Sequence, residues 1–370
     1  MIFNQLYSKE SEGEKGTLKQ IQMAINRTNI PTKVKDDPMA VEDFMDLVLD
    51  AHIIAAAIDF FGMTTVMSRP TANIDLSKIK KMPKHDKWRS LSLAIQHFLD
   101  HYTLHGEADH LASTVKALTT EPAKKRKKDD KSKMETKKER KKKQNQSEDG
   151  VYNYACRLMG MNLMARNFHD ASRWNDGERT IRCWKFLLLH FKADGRVKYS
   201  VEAFHLLAQV NALLPPHMAH QLTWNRACNV SGGEGKNIPL DLMVEHYNRV
   251  FKDDINTFRS NIGEKSISRS SQAIGIMKEL LERFDSIIKI KKPSGRHIKP
   301  SEQKDFEVIV KILVNEGVFR KELGRGHKSF VNISSDPFAS LKSNPKPLFV
   351  WLKHRLEVES TEQDLNMNLL

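Results

Sequence analysis

The residues best suited to chemistry in this sequence are two carboxylates in the segment DLMVEHYNR, which runs from Asp241 to Arg249. Asp241 and Glu245 are four positions apart, so a helix would carry both on one face, and Asn248 follows three residues later. Phosphoryl transfer by two metal ions needs carboxylates that converge on Mg²⁺ or Mn²⁺. The spacing therefore predicts a metal-dependent nuclease site with Glu245 and Asp241 as its acids, and with Asp176 as a more distant third.

The same carboxylates also have an ordinary structural interpretation. Asp241 follows Pro239 at a predicted helix start, where a negative charge meets the helix dipole favourably. Glu245 and Arg249 form an i,i+4 pair of opposite charge. The pattern favours these structural roles over catalysis, and outside the nuclease hypothesis no metal or cofactor is predicted.

Two further motifs have weak chemical signals. The segment Gly232–Lys236 is glycine-rich like a phosphate-binding loop, but that motif needs Ser or Thr after the lysine and a strand before the loop. Asn237 follows instead and no strand is predicted there, so a flexible connector is preferred. His217 and His220 have the i,i+3 spacing of a metal-binding pair, but two ligands without a third indicate surface histidines.

Three tryptophans have arginines close to them in the sequence and could stack on nucleic-acid bases. They are Trp174, Trp184 and Trp224, beside Arg173, Arg182 and Arg226. Because Trp184 shares helical spacing with Phe191, a core position is the preferred interpretation for it.

The strongest compositional signal is the basic stretch Lys124–Lys143, with thirteen Lys or Arg and four acids. Its net charge of +9 is most of the +14 of the whole chain. Such a segment has too little apolar surface to offset the entropy of ordering it, which predicts a disordered insert. Two clusters in it fit a nuclear import signal or a contact with DNA or RNA phosphates. Their members are Lys124, Lys125, Arg126, Lys127 and Lys128, then Arg140, Lys141, Lys142 and Lys143. A purely solubilising insert is the alternative.

Bulk composition narrows the class of protein. A length of 370 residues suggests two or three folding units. The three cysteines, Cys156, Cys183 and Cys228, have no CxxC spacing, so neither a disulfide framework nor a cysteine-based zinc site is predicted. No apolar run reaches the length of a membrane span and no signal peptide is recognised, which predicts a nuclear or otherwise cytoplasmic protein that binds no membrane. Oligomeric state is not predicted.

Helical periodicity dominates and predicts a mainly α, multi-helix assembly with little or no β-sheet, interrupted by the basic insert. Helices are expected over Asp43–Phe61, ending at Gly62, and over Glu178–Phe191, capped by Asp176. The pattern divides the chain into five parts. They are a flexible N-terminus at 1–15, a helical unit at 16–118, the linker at 119–149, the main helical unit at 150–330 and a loop-rich tail at 331–370.

Several long segments, in this order, carry a resemblance to a known family: GTLKQIQMAINRTNI, VEDFMDLVLDAHIIAAAIDFFGM, DGERTIRCWKFLLLHFKADGRVKYSVEAFHLLAQ, WNRACNVSGGEGKNIPLDLMVEHYNR, SGRHIKPSEQKD and GRGHKSF. The chain resembles the eukaryotic domain of unknown function family six-five-eight-nine from about Gly16 to Phe330. The family has no established activity. Its members look like products of multiplied, transposon-like genes, and a likeness to RNase H-type transposase cores is a conjecture.

The resemblance bears on the nuclease hypothesis in two ways. In RNase H-like transposases a helix-borne Glu meets strand-borne Asp residues, which implies that role for Glu245. Family members carry a GDQLT-like segment whose Asp would be the first metal-binding carboxylate, and no GDQLT occurs in this sequence. The expectation is therefore an inactive derivative or a fragment.

Three functional hypotheses follow. The first is a transposon-derived nuclear protein that associates with nucleic acid without autonomous catalysis. The second is a helical scaffold that binds other proteins. The third is a metal-dependent transposase or nuclease fragment that uses Glu245.

Overall fold

The computed structural model describes residues 2–104, 148–229, 232–257, 263–288 and 302–367. Helices dominate these residues, and their sheet is a single antiparallel pair of two-residue strands, so the predicted mainly α fold is confirmed. The basic insert lies outside the described residues. Within the described ranges, no helix combines the length and apolar character that a bilayer span requires.

Helices α1 to α5 precede the basic insert, and the remaining helices and both strands follow it. The first set is α1 Ile2–Leu6, α2 Leu18–Ala24, α3 Pro38–Phe60, α4 Leu76–Lys81 and α5 Lys84–Leu99. The second set is α6 Gly150–Arg173, α7 Gly177–Ala193, α8 Val197–Ala208, α9 Pro216–Trp224, β1 Ala227–Cys228, β2 Ile238–Pro239, α10 Leu240–Thr257, α11 Glu264–Ile288, α12 Glu302–Asn315, α13 Ala339–Ser343 and α14 Lys346–Met367.

The chain divides into two compact units, which differ from the division predicted from the sequence. Unit 1 consists of residues 1–166 and 301–349, and unit 2 consists of residues 167–300 and 350–370. The first unit therefore takes residues from both sides of the basic insert. A sequence pattern does not reveal this, because it shows which helix faces are apolar but not which helices share a core.

The predicted loop-rich tail requires a correction. Residues Lys346–Met367 form a long helix, α14, in place of most of that tail. Pro347 lies in its first turn, where the missing N–H of proline removes no helical hydrogen bond. A proline at this position is compatible with the helix, so this part of the chain is more helical than predicted.

Helix α3 shows how local chemistry sets the helix ends. The Asp37 side chain accepts a hydrogen bond from the Ala40 backbone N–H at 3.0 Å, and Pro38 begins the helix. Gly62 ends it as predicted, because its φ of +61° is a conformation that favours glycine. Helix α3 packs most extensively against α12, which lies far away in the sequence.

Unit 1 has a continuous core of buried apolar side chains. Phe44 and Val48 of α3 lie in it together with Leu158 of α6 and Ile309 and Leu313 of α12. An aromatic group extends this core around Tyr102, whose ring centroid lies 5.2 Å from that of Phe98, 5.3 Å from Phe319 and 6.4 Å from Tyr152. Aromatic pairs at such separations add to the stability gained by burying their surface.

Asp149 is a buried acid at the start of α6, with only 1% of its surface exposed. Its Oδ1 accepts hydrogen bonds from the backbone N–H groups of Val151 and Tyr152, at 3.0 and 3.1 Å. Its Oδ2 accepts from the Glu322 N–H at 2.7 Å and from Arg325 at 2.6 and 3.1 Å. One carboxylate thus caps a helix and fixes a distant loop in place.

Arg325 is satisfied on its remaining sides by backbone carbonyls. It donates to the Gly317 carbonyl at 3.1 Å, to the Glu316 carbonyl at 3.3 Å and to the Arg320 carbonyl. The Gly324 N–H donates to the Glu148 carbonyl at 3.0 Å, and the Gly150 N–H donates to the Arg325 carbonyl at 2.7 Å. The loop 316–325 is therefore bound to the start of α6 by both side chains and backbone.

The N-terminal segment is fastened to the same region. Glu14 Oε1 accepts from the backbone N–H groups of Lys328 and Ser329, at 2.7 and 2.9 Å. His327 Nε2 contacts the Lys15 carbonyl oxygen at 2.8 Å. The buried hydroxyl of Tyr154 donates to the Leu6 carbonyl at 2.5 Å. These contacts close the N-terminal residues over the core of unit 1.

His52 is fully buried within α3. Its Nδ1 contacts the Val48 carbonyl oxygen at 2.7 Å, its ring packs edge-on against Phe319, and its Nε2 has no hydrogen-bond partner. Burial lowers the pKa of His52 to about 4, because a charged imidazolium would lose its hydration.

In unit 2, α7 packs against α8, and α10 packs against α11. The Asp176 side chain caps α7 by accepting from the Arg179 N–H at 3.0 Å, as the sequence predicts. Trp351 of α14 packs edge-on against Phe204 of α8, and Lys192 Nζ lies 4.1 Å from the centre of the Trp351 ring. His205 contacts the buried carboxylate of Glu359.

All three cysteines are free thiols. Burial raises the pKa of Cys156 to about 12 and also raises that of Cys183. Cys228 is only partly buried and lies on β1.

Replacing Asp149 by Ala should destabilise unit 1 by about 3–5 kcal/mol, because it leaves the Arg325 charge without its buried partner and removes the cap of α6. Urea unfolding followed by circular dichroism measures this. The control is Glu279→Gln, which removes an exposed pair with Arg283 of 2.6 Å length and should change stability by less than about 0.5 kcal/mol. Equal effects of the two substitutions would contradict the role of Asp149.

The stability of unit 1 should fall as the pH decreases below the ordinary histidine pKa. The unfolded chain binds a proton at His52 near pH 6.5, whereas the folded chain does so only near pH 4, so acid favours unfolding. The expected loss is about 2 kcal/mol between pH 7 and pH 5. In His52→Leu this part of the pH dependence should disappear in urea titrations, and an unchanged pH profile would refute the assignment.

Candidate nucleic-acid interface

Asp176, one of the predicted acids, is engaged in unit 2 by its own helix. Its Oδ1 caps α7, and its Oδ2 lies 3.3 Å from Arg179 Nε. Arg179 also pairs with Asp170 at 2.7 Å. The Asp176 carboxylate therefore already has two partners that account for its position.

Asp241 and Glu245 lie on α10, and both are exposed. Asp241 stands in the first turn, where its Oδ1 accepts from the Leu242 N–H at 2.9 Å, and its charge acts on Arg226, whose pKa is lowered by burial. Glu245 lines a shallow cleft together with Asn248, Arg249 and Lys252. One acid and two cations face this cleft, which suits a counter-ion contact better than the binding of a cation.

The donor groups of the described residues are too scattered to form a metal centre. Among the described residues, no three His, Cys, Asp or Glu side chains converge closely enough to hold a metal ion. His217 and His220 are exposed on α9, and the His220 ring lies 6.1 Å from Trp224. Their i,i+3 spacing is real, but the structure gives the pair no third ligand within the described part of the chain.

The glycine-rich segment differs from its prediction in one respect. A short strand, β1, does precede it, whereas no strand was expected. The loop closes a hairpin with β2 instead of running directly into a helix, and Gly233 and Gly235 have positive φ angles of +90° and +66°. A phosphate-binding loop leads from a strand into a helix, whereas this segment connects the two strands of a hairpin.

The three tryptophans predicted as stacking candidates lie in different surroundings. Trp184 packs edge-on against Phe168 at 5.9 Å, but both side chains are only half-buried, so Trp184 is not a fully buried core residue. Trp224 is partly buried beside His220. Trp174 is 54% exposed, and Gly235 of the hairpin lies against its indole. The basic clusters Lys124–Lys128 and Arg140–Lys143 lie outside the described residues.

Sequence reasoning missed a basic surface on α4 and α5 in unit 1. Between Lys78 and Arg89 there are six Lys or Arg residues and one acid, Asp86. Asp75 begins α4 by accepting from the Ser77 and Lys78 N–H groups, at 3.0 and 3.2 Å, and Pro83 separates the two helices. The segment Lys78–Arg89 is called the basic helix pair below.

Trp88 is the most conspicuous side chain of the basic helix pair. It is 65% exposed, and no aromatic ring among the described residues packs on it. Lys84 precedes Trp88 by four positions and therefore lies on the same helix face, Arg89 follows Trp88 on the neighbouring face, and both cations are exposed. An exposed indole flanked by cations is a combination used to bind nucleic acids.

Helix α5 is anchored in the core of unit 1 by side chains on a different face from that of Trp88. Phe98 is buried, and its ring centroid lies 5.6 Å from that of Phe60 of α3 and 5.2 Å from that of Tyr102. Ala94 is buried one turn earlier. Ile95 lies three positions before Phe98 but is 58% exposed, so the buried stripe of α5 includes Ala94 and Phe98 and not Ile95. The alternation of lysines with Trp88 was the signal that could have identified this face.

A cleft beside α4 continues the same surface. Its walls include Arg69, Thr71, Ser77 and Lys80, together with Asp75. The Asp75 carboxylate is occupied by its two backbone N–H groups and by Lys78 Nζ at 3.6 Å, and these contacts lower its pKa. Two cations, Arg69 and Lys80, therefore line the cleft together with the Ser77 side chain, while the Thr71 hydroxyl donates to the Gly62 carbonyl at 2.6 Å.

Comparison with known proteins gives one match. Residues 1–297 match a protein family described as a family of unknown function (DUF6589). No curated protein and no solved structure matches the chain. The match covers most of the chain, and the description of the family names no activity.

The matched region ends before α12, although α12 supplies core residues to unit 1 and Arg325 follows it. A chain that ends at residue 297 should therefore lose cooperative unfolding of unit 1, because the face of α3 that packs on α12 would be exposed to water. Urea titration with tryptophan fluorescence and dye binding measures this. A chain that ends at residue 349 keeps all of unit 1 and serves as the control. A sharp transition in the shorter chain would show that α12 is dispensable.

Proposed function

The chain belongs to the family of unknown function DUF6589, and we propose that it is a transposon-derived nuclear protein that associates with nucleic acid without autonomous catalysis. The observation that carries the proposal is the exposed basic helix pair with Trp88 at its centre. A transposon origin is supported only by the resemblance described above. Many near-identical copies of the gene within its genome would support that origin, and a single isolated copy would count against it.

Charge is the physical basis of the proposal. The whole chain has a formal charge of +14, and the stretch Lys124–Lys143 contributes +9 of it. The basic helix pair adds a second, separate concentration of positive charge. Cationic side chains that neutralise phosphates release condensed counter-ions, which drives association with DNA or RNA at moderate salt.

The proposal excludes autonomous catalysis because of the positions of the predicted acids. Asp176 serves as a helix cap and pairs with Arg179, and Glu245 shares its cleft with Arg249 and Lys252. Mg²⁺- or Mn²⁺-dependent cleavage of DNA by the purified chain, abolished by Glu245→Gln, would overturn this part of the proposal and favour the nuclease alternative.

A helical scaffold that binds other proteins is the second candidate, and exposed apolar side chains in unit 2 favour it. Leu242 and Val244 of α10 and Ile276 and Leu280 of α11 are all exposed. Exposed apolar groups of this kind mark protein interaction surfaces when they are contiguous. Protein partners recovered from cells after nuclease treatment would favour this function over nucleic-acid association.

Replacing all nine residues of Lys124–Lys128 and Arg140–Lys143 by Gln should weaken nucleic-acid binding by the full chain and reduce its dependence on salt. The slope of log affinity against log salt should fall by about 0.9 for each lost contact with a duplex phosphate. Electrophoretic mobility shifts at several salt concentrations measure it. The same variant should accumulate less in the nucleus when it is followed by microscopy.

The matched control replaces acids of the same stretch, Asp129, Asp130, Glu135 and Glu139, by their amides. It raises the positive charge and should strengthen binding. If the unaltered chain binds neither DNA nor RNA at low salt, association with nucleic acid is refuted.

A further inference from the structure

We propose that the basic helix pair is a binding site for single-stranded nucleic acid, in which Trp88 stacks on an unpaired base while Lys84 and Arg89 contact the neighbouring phosphates. This inference rests on the proposed function and narrows it to a site and a class of ligand. The site lies within the described residues and does not depend on the basic stretch Lys124–Lys143.

The first argument is the rigid support of the site. The buried face of α5 is fixed to the core of unit 1 through Ala94 and Phe98, and the Phe98 ring packs on Phe60 and Tyr102. A different face of the same helix carries Trp88, which is exposed. An indole on a helix anchored in this way forms a stacking platform whose backbone does not need to be ordered when the ligand binds.

The second argument is the placement of charge around the indole. Lys84 and Trp88 are neighbours on one face because they are four residues apart in a helix, and Arg89 lies about 100° further round the helix axis. Lys80 and Arg69 line the cleft beside α4, which packs against α5. The basic helix pair and the cleft share Lys80, so cations on both helices are available for successive phosphates.

The acids of this surface are outnumbered by cations. Asp75 binds backbone N–H groups at the start of α4 and lies 3.6 Å from Lys78 Nζ. Asp86 is exposed on α5 between Lys84, Lys87 and Arg89. The net charge of the basic helix pair therefore stays positive and favours a phosphate.

An unpaired base is favoured over a duplex because of the exposed indole. Bases in a duplex already stack on one another, whereas an unpaired base offers a free face. The exposed Leu93 and Ile95 lie farther along α5 and are the features that a protein partner would use instead. The positive charge at the start of the helix favours a polyanion over an apolar protein surface.

The test compares the full chain with its Trp88→Ala and Trp88→Phe variants, using a fluorescently labelled oligothymidylate and a duplex of equal length. Fluorescence anisotropy should report at least about a fivefold loss of single-strand affinity for Trp88→Ala, because stacking on one base contributes that much. Trp88→Phe keeps an aromatic face and should lose less. Duplex affinity should change by a smaller factor than single-strand affinity.

Two controls separate stacking from other effects. Trp174→Ala removes a similarly exposed indole in unit 2 and should leave single-strand affinity unchanged. The double variant Lys84→Gln, Arg89→Gln should lower the salt slope for single strands by about 1.4, which corresponds to about 0.7 for each phosphate contact. Thermal unfolding of every variant should match that of the unaltered chain, since the altered side chains are exposed.

The outcomes distinguish this inference from the function on which it rests. If the unaltered chain binds no nucleic acid, both fail. If it binds, but Trp88→Ala binds single strands equally well, or loses duplex and single-strand affinity by the same factor, then only the stacking site is overturned. If Trp88→Ala loses a protein partner while its nucleic-acid affinity is intact, then the surface serves protein binding and the inference is wrong.

Discussion

The buried ion pair between Asp149 and Arg325 is the interaction on which the first unit depends. Asp149 caps α6, and through the same carboxylate it holds the loop that follows α12. Helix α12 in turn covers the core face of α3. Since a buried charge without its partner is very costly, both segments must be in place together. The pair therefore joins the residues after the basic stretch to residues near the C-terminus in one cooperative structure.

The sequence predicts interactions between residues a few positions apart, but it does not predict which distant residues pair with one another. The ends of α3 and α7 follow from Asp37, Gly62 and Asp176, which act on residues within a few positions of themselves. Asp149 has a similar local role as the cap of α6, but its pairing with Arg325 joins residues 176 positions apart, which no local pattern indicates. Helix α14 lies in the part of the chain that was predicted to be loop-rich.

The basic helix pair was likewise not identified from the sequence. Ile95 is 58% exposed although it is next to the buried Ala94, and helical spacing alone does not define that edge of the apolar stripe. The sequence drew attention to Glu245 because carboxylates are associated with catalysis, whereas the structure exposes positive charge and aromatic surface together around Trp88. From sequence alone, a lysine-rich helix resembles any solvent-exposed helix, because the sequence does not show whether its tryptophan is buried or exposed.

The unequal burial of the three cysteines decides how the chain responds to oxidants. Peroxides and disulfides react with the thiolate form, and the raised pKa of Cys156 leaves almost none of it at neutral pH. Cys183 is buried as well and is disfavoured in the same direction. Oxidative modification should therefore begin at Cys228 on β1, in the hairpin of unit 2, while the thiol in the core of unit 1 stays reduced.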